Sequence, residues 1–255
     1  MEADKLIPPG WPEGLPLLLG RGQWDGSRPT LLMVHGAGGC KELFRGLAAL
    51  LSRNFNALAL DLPGHGANPE PFPGSIPALG RWLGELVRRW GRPVALLGHS
   101  MGGAVVLEAA RALGASGLLT RLILLATAAC LPVPAWALEP LPPEELARQL
   151  VPMLYGPGVP AGVLSAAREM IAALQPGLMH RALMACSQWQ GGDWVEELNV
   201  QAVVIAGSRD RLVPPELARA LAQALKARFV LLPTGHMPHV ERPGQVGRVV
   251  GEELS

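Results

Sequence analysis

The chain has 255 residues, 49% of them hydrophobic and 17% charged, with a formal charge of +1. That length and apolar content suit one large core, and near-neutrality without a long basic run argues against a nucleic-acid partner. Met1-Glu2-Ala3-Asp4-Lys5 is not the basic head of a secretory signal, and Pro132 and Pro134 break the longest uncharged stretch, Leu122 to Leu138, so a cytoplasmic protein that does not cross a membrane is expected.

The three cysteines, Cys40, Cys130 and Cys186, are odd in number and far apart, which favours free thiols in a reducing compartment. Arginine far outnumbers lysine, and proline (25) and glycine (31) are abundant. This composition fits heat adaptation and GC-rich coding equally.

In chain order, Leu15 to Leu19 and a segment around Gln23 read as an opening hairpin with Gly20 and Gly22 at its turn. Thr30-Leu31-Leu32-Met33-Val34 is an apolar run of buried-strand length, ending in His35-Gly36-Ala37-Gly38-Gly39. A helix is predicted over Leu43 to Leu51. Ala57-Leu58-Ala59-Leu60 is the next strand and leads into Asp61-Leu62-Pro63-Gly64-His65-Gly66. From Ile76 to Trp90 the spacing of Trp82, Leu83, Leu86 and Val87 is helical.

Val94 to Leu97 is again a buried strand, followed by Gly98-His99-Ser100-Met101-Gly102-Gly103 and a small-residue helix. Further strands are expected at Leu122 to Ala126, Ala202 to Ala206 and Phe229 to Leu232, with a helix over Glu216 to Leu225. Strands that alternate with helices make an α/β fold whose parallel sheet is covered on both faces. Ligands of such sheets sit at the C-terminal strand ends, where every glycine-rich turn above falls.

One region breaks the alternation. From Leu131 to Asp193 the chain shows only proline-punctuated helical patterns, Glu144 to Leu154, Ala161 to Leu174 and Leu178 to Trp189. The expected organisation is a core of residues 1–130 and 194–255, with an all-helical cap, 131–193, inserted over the strand ends.

The chemistry starts at Ser100. Glycines two places before and after it suit a strand that turns into a helix so sharply that side chains at 98 and 102 would collide with neighbours. The turn lifts the Ser100 hydroxyl clear of the sheet, and the helix start supplies free N–H groups. A serine nucleophile needs a base, and the base an orienting acid. Of the six histidines, His35, His65 and His99 sit inside tight turns and His180 lies in the cap. His236 follows the last strand on a loop, and His239 competes with it from three residues further on.

Asp4, Asp25, Asp61, Asp193 and Asp210 are the only aspartates. Asp210 alone follows a strand end between the serine and the histidine. It could instead only cap a turn or pair with Arg211, which would send the search to Glu139 or Asp61. An oxyanion would need main-chain donors, and the N–H groups of Ala37 and Met101 are placed to supply them.

On these segments, with Gly207-Ser208-Arg209-Asp210-Arg211-Leu212-Val213-Pro214 and Gly235-His236-Met237-Pro238-His239-Val240-Glu241-Arg242-Pro243, the chain resembles the α/β-hydrolase superfamily in its lidded, serine-esterase-like branch. The resemblance implies a mostly parallel sheet flanked by helices, with Ser100 as nucleophile, Asp210 as acid, His236 as base, and Ala37 and Met101 as oxyanion donors. It implies structural roles for His65, His99 and His239. Asn68 stands where a small hydroxyl residue is frequent.

Esterases, lipases, C–C bond hydrolases, lactonases and cofactor-free haloperoxidases or perhydrolases share this motif set, so the substrate stays open. A non-catalytic receptor on the same fold is the rival of another class. A dinucleotide site fails at Lys41, where a third glycine is required. A metal site on His236 and His239 lacks further ligands, and an aspartate nucleophile is absent at position 100. No cofactor is expected, and the partner is a small ester met by a monomer or small homo-oligomer. Met153, Met184, Tyr155, Trp136 and Trp189 are taken as the pocket lining, because four of the eight methionines, Met170 and Met179 among them, fall in the cap. Thioether side chains adapt to apolar shapes, which points to neutral, short- to medium-chain esters.

Overall fold

The computed structural model describes residues 7–20 and 24–255. Seven strands form one sheet: β1 (Leu17–Leu19), β2 (Thr30–Val34), β3 (Asn56–Leu60), β4 (Val94–His99), β5 (Leu119–Leu125), β6 (Ala202–Gly207) and β7 (Arg228–Leu232), in the order β1-β3-β2-β4-β5-β6-β7. All pairs are parallel except β1 with β3. Of the expected opening hairpin, the first arm is β1, and Leu17 lies opposite Leu60 as an antiparallel pairing with β3. The other arm of that hairpin, with Gly22 and Gln23, lies outside the described residues.

The strands are apolar throughout because both faces are covered. On β2, Leu32 and Val34 pack into the cluster shared with α2 (Ile76–Trp90), α3 (Met101–Leu113) and α7 (Pro215–Ala224). Leu31 and Met33 point the other way, toward α1 (Arg45–Leu51) and α9 (Pro243–Leu254). The side-chain period of two does this sorting. Helix α9 was not anticipated, although the spacing of Val246, Val249 and Val250, its buried residues, carries the signal. A short 3-10 turn, Lys41–Phe44, precedes α1, and the single turn of α8 (Pro238–Glu241) precedes α9.

Between β5 and β6 the chain forms no strand. It runs through a 3-10 turn (Ala135–Leu138), α4 (Pro143–Leu154), α5 (Ala161–Ala172) and α6 (Leu178–Gln188). These helices share an apolar cluster of their own, with Leu150, Val151, Ile171 and Met179 joined by Met237 from the loop after β7. Strand β5 starts at Leu119 and ends one residue earlier than its pattern suggests, because Ala126 turns to φ 48°.

Candidate active site

The order of the strands reverses beside β2: β3 lies on one side of it and β4 on the other. In α/β sheets the crevice beyond such a reversal is where ligands bind. Val34 pairs with Gly98, so the turns after β2 and β4 emerge side by side. They carry Ala37 and Ser100.

Ser100 sits at φ 53° and ψ −121°, a conformation costly for a residue with a Cβ. Its surroundings impose it. A Cβ on Gly98 would lie 2.6 Å from the Gly102 carbonyl carbon, and one on Gly102 would lie 2.5 Å from the His35 oxygen. The Ser100 N–H donates to Leu125 O (3.0 Å), and its carbonyl accepts from the Thr127 hydroxyl (2.9 Å). Thr127 is thus part of the turn's support, and the sequence offered no signal for it.

His236 Nδ1 donates to Asp210 Oδ2 at 2.7 Å, with both side chains almost completely buried. The other oxygen of Asp210 accepts from the N–H groups of Leu212 and Val213, both at 2.9 Å. The carboxylate therefore caps its turn and holds the imidazole at once. Arg211 donates instead to Pro152 O of α4. The main chain of His236 is fixed from two sides: its N–H donates to Leu154 O and its carbonyl accepts from His99 Nε2, each at 2.8 Å. Ser100 and His236 line one cavity, and no hydrogen bond joins their side chains in this structure. Such contacts commonly tighten only when substrate is bound.

The other histidines of these turns are held neutral. Burial, with His65 adding, pushes His35 down to about 3. Its Nδ1 donates to Gly36 O (2.8 Å) while Nε2 accepts from the Leu62 N–H (3.1 Å), tying the ends of β2 and β3 together. His239 is pushed to about 3 by burial and by His236. It stacks on Phe44, with ring centroids 4.8 Å apart, and neither of its nitrogens has a partner. His99 is driven well below its ordinary value by burial and then by His239 and His236.

Asp61 lies away from the cavity. Burial alone would raise its carboxyl, but Lys41 and backbone N–H groups hold it low. Lys41 Nζ stands at 2.6 Å, and the Lys41 and Ala67 N–H groups donate at 2.7 and 2.9 Å. Asn68 explains its own presence there, since its amide donates to Asp61 O (2.8 Å) and its oxygen accepts from the Glu70 N–H (2.9 Å).

Glu241 is a residue that sequence reasoning missed. Its Oε1 accepts from the Gly235 N–H at 2.9 Å, and its Oε2 accepts from the Gly156 N–H at 3.1 Å. One carboxylate thereby ties the histidine loop to the chain just beyond α4. Only its place five residues after His236 could have drawn attention to it.

The cavity beside Ser100 measures about 80 Å³. Its walls are Ala37 and Leu43, Leu150 and Leu154 of α4, Met170 and Ile171 of α5, Met179 and Leu183 of α6, and Leu212 and Met237. None of Met153, Tyr155, Trp136, Met184 and Trp189, expected as pocket lining, lines this cavity. Tyr155 is buried at the C-terminal end of α4, where burial and the Glu241 charge push its hydroxyl up to about 12. Trp189 docks the insertion on the core by donating to Glu108 Oε1 at 2.8 Å. Met153 and Met184 are half-buried on other faces of α4 and α6, and Trp136 packs against the insertion's own cluster. Among the described residues, no three His, Cys, Asp or Glu side chains converge as a metal site requires.

Residues 31–249 match the sequence profile of the Alpha/beta hydrolase family. The chain belongs to that family. This α/β hydrolase is 30% identical over 240 residues to a pimeloyl-[acyl-carrier protein] methyl ester esterase of Nitrosomonas europaea, covering 86% of this chain and 93% of that one. A protein of the same name from Methylococcus capsulatus is 29% identical over 233 residues, covering 85% and 89%. Among solved structures, a thermophilic esterase from Thermogutta terrifontis superposes with a TM-score of 0.80 at 26% identity, covering 94% of this chain and 92% of that one. The enol-lactonase of Burkholderia xenovorans superposes at 0.85 with 24% identity, covering 94% and 96%, a likeness of fold. No helix among the described residues is long and apolar enough to cross a membrane.

Proposed function

We propose that this α/β hydrolase is a serine esterase that cleaves neutral, apolar carboxylic esters of short acyl chain through an acyl-enzyme. The observation that carries the reading is the 2.7 Å bond from His236 to the buried Asp210, with His236 and Ser100 lining one small cavity. Asp210 holds the tautomer that leaves Nε2 unprotonated, so that nitrogen takes the Ser100 proton as the hydroxyl oxygen attacks the ester carbonyl. The Met101 N–H is the first of α3 and has no intrahelical acceptor. With the Ala37 N–H it receives the oxyanion. The alcohol leaves with the proton carried by His236, and water then releases the acid by the same route.

Residues 131–193 act as the cap that closes the cavity over the core. The apolar walls support a substrate without charge near its carbonyl, since the lining holds no Lys or Arg to pair a substrate carboxylate. Relatives named as methyl ester esterases support a small alcohol on the leaving side. The test is labelling by a fluorophosphonate probe followed by site mapping, together with p-nitrophenyl butyrate turnover. Label should appear on Ser100, and Ser100→Ala should lower kcat by about 10⁶. Label on another serine, or an active Ala variant, would overturn the mechanism.

A further inference from the structure

A second cavity, of about 150 Å³, lies in the insertion directly behind the first. The two share a wall made of Ile171 from α5 and Met179 from α6, which line both. The outer compartment is lined elsewhere chiefly by Leu141, Leu146 and Leu174, with His180 the one histidine among them and Glu139 and Gln175 at its exposed rim. Met179 also meets the oxyanion turn: a Cβ on Gly38 would lie 3.0 Å from Met179 Sδ and 2.9 Å from Leu174 Cδ1.

The chemistry assigns the two sides of the inner cavity. A leaving alcohol must take its proton from His236, so it lies toward the wall beside the triad, where Met237 and Leu212 follow His236 and Asp210 in the chain. The acyl chain then runs the other way, toward Met179 and Ile171. A water-sized group needs about 10–15 Å³ of such space. The inner 80 Å³ therefore takes a carbonyl group and only a few carbons before the chain meets the partition.

We propose that Met179, backed by Ile171, is the partition that sets acyl length, and that the compartment behind it is an acyl subsite closed off by the thioether. The inference rests on the esterase reading. Methionine is unbranched and bends readily, so removing its end joins the two spaces without remaking a helix.

The experiment compares kcat/KM over p-nitrophenyl esters from acetate to decanoate. Wild type should favour acetate to butyrate. Met179→Ala should raise the octanoate-to-butyrate ratio by at least about 10-fold, the scale on which apolar pockets discriminate a few methylenes. Met179→Leu, close in volume, should keep the wild-type profile. Adding Leu146→Phe to Met179→Ala should refill the outer compartment and remove the gain. Ile171→Ala opens the same wall from α5 and gives the same reading if Met179→Ala does not fold. An unchanged ratio in the folded Ala variants, with wild type still hydrolysing butyrate, overturns the partition alone. A wild type inert on every ester removes the esterase reading and the partition with it.

Discussion

Around Ser100, nearly every residue type is dictated by neighbouring backbone, whereas in α4–α6 similar apolar residues face the cavity, the core or solvent according to how the helices dock. Gly98 and Gly102 have main chain within 2.6 Å of where a side chain would begin, so the sequence there has little freedom. Met170 and Met179 reach the cavity while Met153 and Met184, each one residue from a lining position, do not. Local sterics write themselves into sequence motifs, and packing orientation does not.

For this contrast, the largest effect is expected at Asp210. Asp210→Asn keeps the turn but disfavours the tautomer that His236 needs, so kcat should fall by about 10⁴. His239→Ala, which removes a ring outside the cavity, should cost no more than about 10-fold in kcat. Steady-state kinetics on p-nitrophenyl butyrate checks both, and equal losses would mean that the two histidines share the work.

The next test concerns the turn itself. Gly102→Ala places a methyl group against the backbone of β2's exit and should cost more than about 3 kcal/mol, or prevent folding. Urea denaturation with a wild-type midpoint would show that the turn is looser than its contacts imply.

The smallest effect belongs to the insertion. Trp189→Phe removes the bond to Glu108 and should cost about 1–2 kcal/mol, with the acyl-length profile of hydrolysis unchanged. A shifted profile would return Trp189 to the pocket.

The sheet was legible in the sequence because strands buried on both faces are unbroken apolar runs bounded by glycine and proline, as at Thr30–Val34 and Val94–His99. Asp210 and His236 were reachable because each follows a strand end in an order that few alternatives satisfy. The pocket lining was not reachable. Choosing among methionines and aromatics of the insertion requires the rotation of each helix, which Trp189 and the Met237 cluster determine from far along the chain. Glu241 was hidden for a related reason, since its partners are backbone N–H groups, and those carry no side-chain signature.

That carboxylate has a further consequence. Glu241 receives N–H groups from Gly156 and Gly235 together, and Leu154 O receives the His236 N–H. Hydrogen bonds to a charged acceptor contribute about 1.5–3 kcal/mol each, so the end of α4 cannot lift while the histidine loop keeps its place. On the esterase proposal, raising the end of α4 and releasing His236 are one equilibrium. On that proposal, a molecule opened at this edge also loses the alignment of the His236 imidazole, so the closed form and the competent form are one state.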